Sequence, residues 1–140
     1  MPSIKIPYPK TSTIFGEIGY PGLIVEVWLT ANNTGYQPIE FVLDPGADCT
    51  MLPRFMANLV GCQILNLNLP DTYVHGITGQ GMPAYKGQIK LKIESEEFEV
   101  RCLFTKSNRT PFLLGRVDFF SLFDVRFDNQ NEQIVLNRLK

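Results

Sequence analysis

Proline and glycine interrupt this chain ten and eleven times in 140 residues. Breakers at that density, combined with ten Phe, predict many short elements and a β-rich architecture. The longest apolar run is Leu23–Val25, resumed past Glu26 as Val27–Leu29. That is far short of a membrane span. A chain of this length has room for one domain with a real core and hardly for two.

Charge and rare residues narrow the function classes. Thirteen basic residues face fourteen acidic ones, a net charge of −1. Proteins of nucleic acids or membrane surfaces normally carry a basic excess, so neither partner is expected. A single histidine, His75, excludes multi-histidine metal sites. Cys49, Cys62 and Cys102 have no CxxC spacing, so neither a zinc site nor a disulfide framework is expected, and no cofactor is called for. Met1–Lys10 contains no apolar stretch of signal-peptide length. With an odd number of unpaired cysteines, this points to a reducing, cytoplasmic setting.

Along the chain, residues 1–20 hold Pro2, Pro7 and Pro9 and read as an N-terminal extended arm, leaving 21–140 as the domain proper. Leu23–Leu29 and Pro38–Leu43 read as a strand pair across the turn at Ala31–Gly35. Pro53 opens a short helix that Gly61 closes. Residues 63–70 read as a short apolar strand ending at Pro70. Thr72–Val74 and Ala84–Lys92 flank a glycine-rich tip and read as a long hairpin. Ile89, Leu91 and Ile93 alternate with polar residues, the pattern of a half-buried strand, and Phe98–Phe104 is its partner across Glu94–Glu97. Phe112–Leu114 is a buried run, Val117–Phe123 forms one or two helical turns, and Val125–Phe127 with Ile134–Leu136 makes a last hairpin. The expected fold is one mostly-β domain with one or two short helices.

The chemically informative segment is Phe41-Val42-Leu43-Asp44-Pro45-Gly46-Ala47-Asp48-Cys49-Thr50-Met51-Leu52. An apolar strand delivers a carboxylate straight into a turn. Asp-Pro-Gly alone is an ordinary turn sequence. The whole segment, however, resembles the active-site stretch of the retropepsin-like aspartic proteases, with the pattern apolar-apolar-Asp-Thr-Gly-Ala. Asp48, Thr50 and Leu52 fall where retroviral members commonly have Asp, Thr and Leu. His75-Gly76-Ile77-Thr78-Gly79 stands where the family has its flap, and Phe112-Leu113-Leu114-Gly115-Arg116 is similar to its apolar-apolar-Gly-Arg block. The ordered set covers roughly residues 23–136. The arm and the helix after Pro53 look more like bacterial single-domain relatives than retroviral ones.

The resemblance implies a single-lobe retropepsin-like fold, a closed barrel-like β domain with a flap hairpin. It implies an aspartic endopeptidase with Asp44 as the catalytic residue and Pro45, Gly46, Ala47 and Asp48 completing the active-site loop. His75, Gly76, Ile77, Thr78 and Gly79 would cover a peptide substrate. Gly115 and Arg116 would support the loop, Arg116 by pairing with Asp48. Peptide hydrolysis by carboxylates needs one to accept a proton from water and another to donate one to the carbonyl oxygen. The chain has one such Asp motif, since Asp71, Asp118, Asp124 and Asp128 lack its context. Half a dyad per chain implies a homodimer with the site on its two-fold axis.

Pro45 departs from the pattern. The family has Thr or Ser here, whose hydroxyl bonds to the partner loop across the axis; proline has neither that hydroxyl nor an N–H. An alternative reading follows, a catalytically impaired dimer that binds extended peptides. A third, a cysteine hydrolase built on Cys49 and His75, competes with the plain reading of a small buried thiol and a surface imidazole.

Overall fold

The computed structural model describes residues 3–75 and 79–139. The first twenty residues contain β1 (Ile4–Pro7), followed by a hairpin of β2 (Lys10–Thr13) and β3 (Gly16–Gly19). β4 (Gly22–Leu29) and β5 (Gly35–Leu43) pair antiparallel over their full length. Leu23, Val25 and Val27 on β4 are buried while Ile24 and Trp28 face outward, so the period of two sets which side meets the core.

β6 (Thr50–Leu52) leads into α1 (Phe55–Leu59), which buries Met56 and Ala57. Pro53 precedes α1, and Gly61 follows it at φ +82°, a left-handed conformation that glycine adopts without a Cβ penalty. β7 (Thr72–His75) pairs with the start of β8 (Gly81–Ile93), whose remaining length pairs with β9 (Glu96–Thr105). The β8–β9 connection is shorter than the four residues read from sequence. Ile93 pairs with Glu96, leaving a two-residue turn at Glu94-Ser95 with Glu94 at φ 53°. Positive φ is what tight hairpin turns demand.

β10 (Leu113–Leu114) lies between β5, to which it is parallel, and β6. α2 (Phe119–Leu122) then leads into the last hairpin, β11 (Phe123–Asp128) and β12 (Gln133–Arg138). The main sheet runs β4-β5-β10-β6-β9-β8-β7, and a further pairing of β4 with β8 at Glu26–Lys92 and Val27–Leu91 closes its first six strands into a barrel. β7 stays outside that closure and, with the start of β8, forms the flap hairpin. β1, β12 and β11 make a separate three-stranded sheet, with Ile4 buried against the core.

The core fills the barrel and the space beneath it. Phe41, Phe104, Phe119 and Phe123 are fully buried, and the rings of Phe119 and Phe123 stack at 5.1 Å with Phe98 edge-on to Phe123 at 5.2 Å. Each such side chain contributes roughly 1.5–3 kcal/mol by leaving water.

One expected element is absent. Residues 63–70 form turns, not a strand, with Leu65 and Leu69 strongly exposed. Asn66 Oδ1 accepts the N–H of Asn68, and the Asn66 carbonyl accepts that of Leu69. These local bonds offer the backbone a partner that a sheet ladder would otherwise supply.

Candidate active site

The barrel delivers Asp44 at the point where β5 leaves the sheet. The Asp44 N–H still donates to the Leu114 carbonyl at 3.0 Å, which ties the residue to β10. Immediately afterwards the chain turns. The Ala47 N–H donates to the Asp44 carbonyl at 3.1 Å, and the Gly46 N–H donates to Asp44 Oδ1 at 2.9 Å. That bond orients the half-buried carboxylate while leaving Oδ2 without a partner among the described residues. A Cβ on Gly46 would lie 3.1 Å from Asp44 Oδ1, so the smallest residue permits this close approach. Pro45 sits at the exposed outer edge of the turn.

The loop from Asp44 to Thr50 is strapped to Gly115–Val117. Arg116 N–H donates to the Ala47 carbonyl at 3.0 Å, and Val117 N–H to the Asp48 carbonyl at 2.8 Å. Gly115 N–H donates to Oγ1 of the fully buried Thr50 at 3.1 Å. A Cβ on Gly115 would stand 2.4 Å from the Cys49 carbonyl carbon, so the two segments approach as closely as only glycine allows. Arg116 Nη2 also donates to Asp48 Oδ1. Both side chains are well exposed, and an ion pair of that kind contributes roughly 0–1 kcal/mol. The backbone straps, not the charges, hold the loop.

Asp44 faces a cleft of about 1170 Å³. One wall is a row of side chains carried across four strands. Leu113, Met51, Leu103 and Lys86 are successive register partners on β10, β6, β9 and β8, so they point the same way, into the cleft. The flap hairpin also lines the cleft, with Tyr73, His75, Gln80 and Gly81. Gly79 has φ +79°. Gly76, Ile77 and Thr78, assigned to the flap from the sequence, lie outside the described residues. Cys49 and His75 both line the cleft, but no hydrogen bond joins them among the described residues. Cys102 also borders it, and burial pushes its thiol well above the ordinary range, which keeps it protonated. Among the described residues no group of three or more His, Cys, Asp or Glu side chains is placed to hold a metal ion. None of their helices is long and apolar enough to cross a membrane.

One cleft residue, Arg101, and its partner Asp118 outside the cleft lining escaped the sequence reading as a pair. Arg101 and Asp118 form a forked pair, Nε to Oδ2 at 3.0 Å and Nη2 to Oδ1 at 2.9 Å, while the Arg101 N–H donates to Oδ2 at 2.8 Å. The guanidinium hydrogen bonds and that backbone bond hold the Asp118 carboxyl below the ordinary carboxylate range. Arg101 alternates with buried Val100 and Cys102 on β9, so its outward placement could have been read from periodicity. The choice of Asp118 as its partner could not.

No protein-family model matches the sequence, and no curated protein matches it either. Solved structures do resemble it. A retropepsin-like aspartic protease from Rickettsia conorii superposes with a TM-score of 0.66 at 20% identity, covering 98% of this chain and 91% of its own. EIAV protease in complex with an inhibitor overlaps 69% of this chain and 82% of its own, with a TM-score of 0.47 at 23% identity. The six-stranded closure, the flap hairpin and the end-to-end match to the rickettsial structure converge: this chain has the single-lobe fold of the retropepsin-like aspartic proteases.

Proposed function

We propose that the protein is an aspartic endopeptidase that hydrolyses peptide bonds as a homodimer, with one Asp44 from each chain. The observation that carries this reading is the presentation of Asp44. A strand end and a glycine turn hold one carboxylate oxygen, the other is left toward a peptide-sized cleft, and the β7–β8 hairpin lines the same cleft. Two such carboxylates brought close about a two-fold axis cannot easily both ionise, so they share a proton and titrate as a coupled pair, as aspartic-protease dyads do generally. The ionised partner takes a proton from the attacking water, and the protonated one donates to the scissile carbonyl. Met51, Leu103 and Leu113 offer apolar side chains to the substrate, and the flap would exclude water from the bond being cleaved.

The test is Asp44→Asn. Cleavage of a mixed peptide library should be lost while the circular dichroism spectrum and unfolding midpoint stay those of the wild type. Undiminished cleavage in that variant would remove Asp44 from the mechanism. Pro45 favours a second reading, a dimer that holds extended peptides without cutting them, because proline brings no hydroxyl or N–H to the axis. Saturable peptide binding by the wild type without any product would select it.

A further inference from the structure

We propose that the β2–β3 hairpin is a clasp for a second copy of this chain, its Ile14-Phe15 tip seating against the dent beside Pro45 on the partner. The inference rests on the homodimer reading above and adds the surface that holds the dimer together. Ile14 and Phe15 are 92% and 90% exposed, more than any other large apolar side chain among the described residues, and Ile18 on the same hairpin is half exposed. Every residue of β2 is exposed, and its strand partner is β3 alone. The tip is nevertheless built. Thr13 Oγ1 donates to the Gly16 carbonyl at 2.7 Å and accepts the Phe15 N–H at 3.0 Å. An ordered apolar knob held away from its own core gains nothing from the chain that carries it.

The hairpin springs from the rim of the catalytic loop. Tyr20 N–H donates to the Pro9 carbonyl across its base, and Leu43 N–H donates to the Pro21 carbonyl one residue before Asp44. At that base lies a dent of about 390 Å³ lined by Tyr8, Gly19, Pro21, Pro45, Phe127 and Asn129. With about 3.4 Å per residue, the hairpin carries its tip roughly 15 Å from this dent. Two hairpins lying antiparallel about a two-fold axis place each tip over the dent at the other's base, the self-complementary contact that such symmetry requires. The dent is large enough for one aromatic ring. A Phe side chain buries roughly 150–250 Å², so the three apolar residues expose roughly 400 Å² per chain. With one ring seated in each dent and the surface it covers, two clasps account for roughly 800 Å², about half of a standard specific interface. A second copy is the favoured occupant because the Asp44 site needs one and the clasp begins beside it.

Sedimentation equilibrium on the full chain tests this with Ile14→Ser and Phe15→Ser. Each should raise the dimer dissociation constant at least thirtyfold with an unchanged circular dichroism spectrum. A Phe15→Trp variant in a Trp28→Phe background should shift its emission to the blue as protein concentration rises. Unchanged dimerisation in both serine variants would overturn the clasp and leave the homodimer standing. A wild type that stays monomeric at every concentration would overturn both. Flotation of the wild type, but not of Phe15→Ser, with phosphatidylcholine–phosphatidylglycerol vesicles, at equal dimer affinity, would assign the tip to a lipid surface instead.

Discussion

Asp44 is exposed to the cleft because its neighbours are small or locked. Gly46 lets the backbone turn onto its carboxylate, and Gly115 lets β10 come within contact of the Cys49 peptide. Gly115 is the more demanding of the two. The atoms that a Cβ would strike there belong to backbone, which cannot swing aside as a side chain can. Gly115→Ala should therefore destabilise the fold by about 1–3 kcal/mol, the usual range for forcing extra atoms into a packed site. Urea unfolding measures it directly. Peptide cleavage should fall further than stability alone predicts, because the displaced segment carries the straps to Ala47 and Asp48. An alanine variant with wild-type stability would mean that the two segments part without cost.

At the scale of elements, the start of α2 is fastened to β9 through Asp118 and Arg101. Asp118 opens α2 with φ 69° and ψ −45°, a strained conformation for a residue with a side chain. Three hydrogen bonds from Arg101 hold it there. Since these bonds depress the Asp118 carboxyl in the folded state, their contribution is present at neutral pH and is lost as pH falls through the folded value. Asp118→Asn should thus be less stable than the wild type at neutral pH, and the gap should close on acidification below the carboxylate range. Urea midpoints measured across pH 7 to 2.5 check this; a gap independent of pH would mean that the charge does not hold α2. The stretch at 63–70 marks the limit of periodicity as a guide. Ile64, Leu65, Leu67 and Leu69 look like strand material, yet the Asn66 side chain and carbonyl capture the neighbouring amides and leave no edge for another strand to pair with.

For the whole molecule, the barrel closure between β4 and β8 brings segments seventy residues apart to one rim, so that the β5 turn, the β10 bend and the flap share a cleft. In the proposed homodimer Pro45 faces the axis without a polar group to offer. Pro45→Thr should return a hydroxyl and an N–H on each side. Even about 0.5 kcal/mol for each of up to four bonds would tighten the dimer more than tenfold. The monomer should lose a few tenths to about 1 kcal/mol, because proline restricts the unfolded chain. Sedimentation and urea unfolding separate the two effects, which have opposite signs. Equal or weaker dimerisation would mean that the loop has settled into another geometry.

The sequence alone determined the class of the fold and most of its strands. The alternation of Leu23, Val25 and Val27, or of Ile89, Leu91 and Ile93, assigns a buried face wherever one side of a strand meets a core. Asp44 stands out only through the resemblance of its whole segment, since Asp-Pro-Gly by itself is an ordinary turn. What the tertiary structure decided is which distant groups meet. The resemblance alone pairs Arg116 with Asp48, 68 positions away, and nothing in the sequence pairs Arg101 with Asp118; those contacts exist because β10 slots between β5 and β6 and because Asp118, at the start of α2, meets Arg101 on β9. Nor did the arm reveal its hairpin, since β2 and β3 bury almost nothing and so carry no hydrophobic period to read. Periodicity records burial against the chain's own core, and surfaces made for contacts beyond it leave no such trace.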